Sequence, residues 1–101
     1  MTAVIPYYGY ARQDRKNKPR VPISASVMAR LLEASGVDRV IAIDLHSGQI
    51  QGFFGANTTC DNLAGGFAGV EYILNKTDIE DFDNCVIVSP DAGGVGRAKI
   101  F

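Results

Sequence analysis

Arg12, Arg15 and Lys16 stand in one short stretch of the chain, with Gln13 among them. Guanidinium and ammonium groups at that density suit phosphate oxygens, and a Gln between them offers its amide to a base or a ribose. A solvated basic loop is the competing reading of the same residues. Tyr7, Tyr8 and Tyr10 directly precede the run, so a stacking groove for nucleic acid is a rival. Further along, Asp44 and His46 are two apart; if a strand persists through both, they project to the same face and share one ion. Magnesium prefers oxygen donors and keeps several waters. His46 is therefore open to several roles: metal ligand, phosphate contact, general acid or base, or packed core histidine. Asp91, followed by Ala92-Gly93-Gly94, puts a carboxylate where the backbone can approach a ligand closely. It also suits a helix N-cap.

Other chemistries fail on inspection. Gly94-Val95-Gly96-Arg97-Ala98-Lys99 lacks the last small residue of the dinucleotide fingerprint, and no Gly-Lys-Ser/Thr is present for a P-loop. The Gly-x-Ser-x-Gly elbow of serine hydrolases is absent. Cys60 and Cys85 are far apart with no Cys-x-x-Cys spacing, which speaks against a zinc site or a disulfide framework and fits a reducing intracellular compartment.

The elements that must position these groups belong to a chain of 101 residues, 47% hydrophobic and 21% charged, the composition of one globular domain or a piece of a larger one. Its net charge of -1 provides no overall drive toward nucleic acid or an anionic membrane. Locally the charge is uneven. Arg12, Arg15, Lys16, Lys18 and Arg20 face only Asp14, whereas Glu71, Asp78, Glu80, Asp81 and Asp83 face only Lys76. No apolar run approaches a membrane span, and the N-terminus lacks the pattern of a signal peptide.

Ala3-Val4-Ile5, stopped by Pro6, predicts a strand leading into an irregular loop. Val27, Met28, Leu31 and Leu32 recur as on a helix, with Ser24 as its expected N-cap and Gly36 at its end. Val40 to Ile43 is a continuous apolar run, the mark of a parallel strand covered on both faces. Residues 47–62 carry Gly48, Gly52 and Gly55 and predict a loop with a helical turn. Phe67, Val70, Ile73 and Leu74 trace a second helix. After the acidic connection, Cys85 to Val88 predicts a third buried strand, and Val95 to Phe101 the opening of a helix. This alternation argues for an α/β layer structure with a parallel sheet and right-handed crossovers. Ligands gather outside the carboxyl ends of such strands, and the three strand ends would carry Arg12 to Lys16, Asp44 with His46, and Asp91 to one rim.

Those same blocks resemble ribose-phosphate pyrophosphokinases. The likeness is carried by Tyr7 to Lys16, Pro22-Ile23-Ser24-Ala25, Asp44-Leu45-His46 with Gln49 to Phe54, and Ser89 to Val95 with Arg97-Ala98, in the family's order. The resemblance implies a phosphoribosyltransferase-like α/β fold. It also implies transfer of the β,γ-diphosphoryl group of ATP to the C1 hydroxyl of ribose 5-phosphate with Mg²⁺, giving phosphoribosyl pyrophosphate and AMP for nucleotide biosynthesis. Arg12 and Gln13 match the family's ATP-binding block, which Asp14, Arg15, Lys16 and Asn17 continue. His46 and Asp91 match magnesium-associated positions, with Asp44 in the same neighbourhood.

Two departures accompany the likeness. Gly55 stands where the family has Asp after the paired phenylalanines, and the stretch from there to Asp61 is longer than usual, which weakens Asp61 as a further metal-associated carboxylate. The family's basic catalytic loop and ribose 5-phosphate cradle have no counterpart in residues 1–101. The expectation is a partial, internal segment of such an enzyme, missing sequence on both sides and inactive by itself. The full-length protein would be a cytoplasmic homo-oligomer, or an organellar one if a targeting segment precedes it, with no nucleic-acid or membrane partner. A non-catalytic, synthetase-associated regulatory homologue is the alternative, and Gly55 is the feature that favours it.

Overall fold

Thr2–Ile5 forms strand β1, Ser24–Ala34 helix α1, Arg39–Ile43 strand β2 and Thr59–Leu63 strand β3. The computed structural model describes residues 1–79 and 81–101, and the chain divides into two units, Met1–Leu63 and Ala64–Phe101. In the first unit the three strands pair in parallel in the order β1-β2-β3, Ala3 lying opposite Val40 and Val40 opposite Cys60. The expected parallel α/β arrangement is therefore present.

One face of this sheet makes the core. Val40 and Ala42 of β2 are fully buried together with Ala25, and Tyr8, Val37, Leu45 and Ile50 complete the cluster. Ala3, Ile5 and Cys60 lean onto it from the flanking strands, as the two-residue period of a strand requires. The other face is covered less: Val4 is 64% and Leu63 51% exposed, and Ile41 and Ile43 are half-buried. β2 thus departs from the expectation of a strand buried on both sides.

Helix α1 corrects the sequence expectation in detail. Its buried residues are Ala25 and Ala29, with Met28 and Leu32 packed beside them, a stripe at i, i+3, i+4 and i+7. Val27 and Leu31 lie on the flank, about half exposed. The small alanines, and not Val27 and Leu31, therefore mark the buried face of the helix. Ser24 is the first helical residue, not the N-cap; Ile23 holds that position and no side chain caps the helix.

Residues 47–62 are more ordered than expected. Gly48–Phe53 forms a 3₁₀ helix that buries Ile50, and β3 follows. The sequence Thr-Cys-Asp-Asn-Leu has no apolar run to announce a strand; pairing to β2 makes it one.

In the second unit, α2 spans Gly66–Lys76 and the short helix α3 spans Val95–Ala98. The expected helix pattern is confirmed, yet α2 buries no residue, and Phe67 is 72% exposed. Cys85 to Val88 is not a strand, and Val86 and Val88 are 80% and 77% exposed. A strand requires a hydrogen-bonding neighbour as well as β-branched residues, and no strand is present in this unit among the described residues. Glu80 of the acidic connection lies outside the described residues.

Candidate functional site

The basic run folds as a loop fixed at its base. The Tyr8 hydroxyl donates to the Ala25 carbonyl across 3.0 Å, and the Ala25 N–H donates to the Gln13 carbonyl across 3.2 Å. Burial, and secondarily Cys60, pushes the Tyr8 phenol up to about 12. Between these anchors the chain turns at Tyr10, whose φ of 61° is left-handed. The loop thereby opens a cleft of about 390 Å³ lined by Arg12, Gln13, Arg15, Asn17, Val21, Pro22 and Ser24. That volume lies within the range of small-molecule sites. Four expected ATP contacts, Arg12, Gln13, Arg15 and Asn17, meet there; Asp14 and Lys16 do not line it.

Asp14 points elsewhere. Its Oδ2 accepts a hydrogen bond of 2.7 Å from the Ser47 hydroxyl. This bond holds its carboxyl below the ordinary carboxylate range, against a smaller opposing effect of desolvation and with help from its own amide, Arg15 and His46. Two strand ends expected to share a rim, those of β1 and β2, are joined by this contact.

The turn after β2 is not a continuation of the strand. β2 stops at Ile43, and Asp44 adopts a left-handed φ of 48°, a conformation that Asp tolerates better than most residues. The Asp44 N–H donates to the Leu63 carbonyl at 2.9 Å, and the Leu45 N–H to Asn62 Oδ1 at 3.0 Å. The alternation that would have put Asp44 and His46 on one strand face therefore does not apply, and the turn sets their directions instead. Both side chains are exposed.

Asp61 lies elsewhere, midway along the edge strand β3 and opposite Ile41. Its Oδ2 accepts from Arg39 Nη2 at 2.6 Å and from Nε at 2.9 Å, so a cation already neutralises it. Gly55 is also remote from the β2 exit. Its N–H donates to Glu33 Oε1 at 2.5 Å, in the last turn of α1, and the Thr58 hydroxyl next to it donates to the Val37 carbonyl at 2.9 Å. This is the edge where β2 and β3 begin, opposite the edge where Asp44 and His46 emerge. A side chain at position 55 would face Glu33, so Gly55 bears on that edge.

In the second unit, Asp91 caps the 3₁₀ turn Ala92–Gly94, its Oδ1 accepting from the Gly94 N–H at 2.9 Å. The Ser89 hydroxyl donates to the Asp91 carbonyl at 2.6 Å. The capping role weighed from sequence is thus present. Among the described residues, no group of three or more His, Cys, Asp or Glu is arranged to hold a metal, and no helix is long and apolar enough to cross a membrane. Ser47 and Asn62 escaped the sequence reading. Ser47 had only its place beside His46 to suggest it, and Asn62 had no signal before β3 was known.

Comparison with known proteins points one way. Residues 1–36 match the N-terminal domain of ribose phosphate pyrophosphokinase. A ribose-phosphate pyrophosphokinase of Campylobacter jejuni is 56% identical over 99 residues, 98% of this chain and 30% of that protein. One of Helicobacter pylori is 52% identical over the whole chain and 30% of its own length. The crystal structure of phosphoribosylpyrophosphate synthetase from Mycobacterium smegmatis superposes with a TM-score of 0.77 at 44% identity, over 97% of this chain and 31% of that one. The chain therefore spans about 30% of the length of the curated relatives it matches. Sequence and fold agree on the family that the motifs resemble.

Proposed function

We propose that this chain is the ATP-facing part of a ribose-phosphate pyrophosphokinase, which transfers the diphosphoryl group of ATP to ribose 5-phosphate and releases AMP. The observation that carries the reading is the meeting of Arg12, Gln13, Arg15 and Asn17 in one cleft, a donor set matched to phosphates and a nucleoside. Arg12 and Arg15 neutralise phosphate charge; Gln13 and Asn17 hydrogen-bond the nucleotide; Val21 and Pro22 supply apolar wall. Catalytic help in such a transfer is mostly positioning and charge stabilisation, which these residues are equipped to provide.

Mg²⁺ suits the Asp44 carboxylate, an oxygen donor of the kind it prefers, with His46 included on the family likeness. It is commonly held by one or two protein groups plus water and substrate phosphates, so a sparse set suffices, and Asp44 with His46 would hold it. Asp91 is retained as a metal-associated position on the family likeness alone. When bound with the nucleotide, Mg²⁺ offsets charge on the transferring group. On the same reading the full-length protein is a cytoplasmic homo-oligomer, which sedimentation and fractionation would test.

In the full-length protein, Arg12→Ala is expected to raise KM for ATP about tenfold or more, the scale of a lost charge-assisted hydrogen bond, with KM for ribose 5-phosphate little changed. Equal effects on both substrates would overturn an ATP-specific role. The 101-residue chain alone is expected to release little AMP from ATP and ribose 5-phosphate; robust turnover would contradict its being a part of the enzyme.

A further inference from the structure

Asp14 is an acid in the middle of a loop whose neighbours suit phosphates. A carboxylate facing that cleft would repel a nucleotide, and the structure turns it away: Asp14 is absent from the cleft lining, and its Oδ2 meets the Ser47 hydroxyl at 2.7 Å. Ser47 belongs to the turn that carries Asp44 and His46, immediately before the 3₁₀ helix Gly48–Phe53. On the other side of Asp14, the Gln13 carbonyl accepts from the Ala25 N–H at 3.2 Å. The cleft-lining residues on either side, Arg12 and Arg15, are thus tied to α1 at one point and to the β2 exit at another.

We infer that Asp14 and Ser47 are positioning residues whose hydrogen bond sets the spacing of Arg12, Gln13 and Arg15 from the Asp44–His46 turn, Asp14 making no contact with the nucleotide. The inference rests on the ATP reading of the cleft and assigns Asp14 a role different from its neighbours'. It follows that Asp14 acts through its acceptor oxygen toward Ser47 and not through a contact with the nucleotide. Asp14→Asn retains an acceptor for the Ser47 hydroxyl, whereas Asp14→Ala removes it. Ser47→Ala removes the donor from the other side, and Ser47→Thr restores one.

The test is a kinetic cycle in the full-length protein, preceded by calorimetric titration of the wild type with Mg·ATP. Ser47→Ala and Asp14→Ala are each expected to raise KM for ATP about fivefold, the scale of one net hydrogen bond, with KM for ribose 5-phosphate unchanged. The double variant should be no worse than either single one, while Asp14→Asn and Ser47→Thr stay near wild type. Melting temperatures are measured alongside; if Asp14→Ala fails to fold, Ser47→Ala paired with Ser47→Thr decides. Additive effects, an Asp14→Asn as damaging as Asp14→Ala, or a Ser47→Ala without effect on KM for ATP would overturn the positioning role and leave the ATP reading standing. Absence of Mg·ATP binding by the wild type would overturn both.

Discussion

Tyr8 and Ala25 are joined by a 3.0 Å hydrogen bond from the phenol to the helical carbonyl, which locks the loop after β1 onto the first turn of α1. The ring is buried, 4% exposed, and meets Phe54 edge-on with centroids 6.3 Å apart. Removing the hydroxyl would take away this second donor, while the carbonyl keeps its place in the hydrogen-bond ladder of α1. Tyr8→Phe is expected to cost about 1 kcal/mol, the scale of one net hydrogen bond, read by thermal or denaturant melting.

The same residue produces a pH dependence. Its phenol is pushed up to about 12, whereas an unfolded tyrosine ionises near 10. Below about pH 10 both states are protonated and the contribution is complete. As pH rises between about 10 and about 12, the unfolded chain loses its proton first, and stability falls. Tyrosinate absorbance should show a late step at about 12 that Tyr8→Phe removes; a titration curve without that step in the unsubstituted protein would contradict it.

Glu33 and Gly55 make the next prediction. A Cβ built at Gly55 would lie 3.1 Å from Glu33 Oε1, so Gly55→Asp sets one carboxylate against another and strains the 2.5 Å bond from the Gly55 N–H. The expected loss is about 1 kcal/mol, and Glu33→Gln in the same chain should recover most of it. Because position 55 lies at the edge where the strands begin, Gly55→Asp should leave affinity for Mg·ATP unchanged in titrations.

Asp44 separates backbone from charge. Its left-handed φ of 48° is accessible to Asn at little cost but strains Ala by about 1 kcal/mol. Asp44→Asn should hold the melting temperature and weaken the Mg²⁺ dependence of ATP binding, whereas Asp44→Ala should lower both. An Asp44→Asn protein with unchanged Mg²⁺ dependence would place the metal elsewhere.

The residue types of the site were legible in the sequence because each announces its chemistry: arginines and a glutamine for a nucleotide, an Asp and a His after an apolar strand. β1, α1, β2 and the parallel order were legible too, since Ala3 to Ile5, Val40 to Ile43 and the helical recurrence are local patterns. Apart from local departures at the α1 N-cap, which is Ile23 and not Ser24, and at the Asp44 turn, the misses concern partners distant in sequence. Thr59–Leu63 is polar, yet it is a strand because Val40 and its neighbours pair with it. Cys85 to Val88 is apolar, yet with no strand beside it in its unit among the described residues it is not one. Sequence by itself determined which functional groups this protein carries and that a parallel α/β scaffold holds them. Only the tertiary structure decided where they point: Asp14 to Ser47, Asp61 to Arg39, Gly55 to Glu33, and Asp44 into a left-handed turn. The physical reason is that pairing and side-chain direction depend on groups 22 to 33 residues apart in these three contacts, a separation that no local propensity encodes.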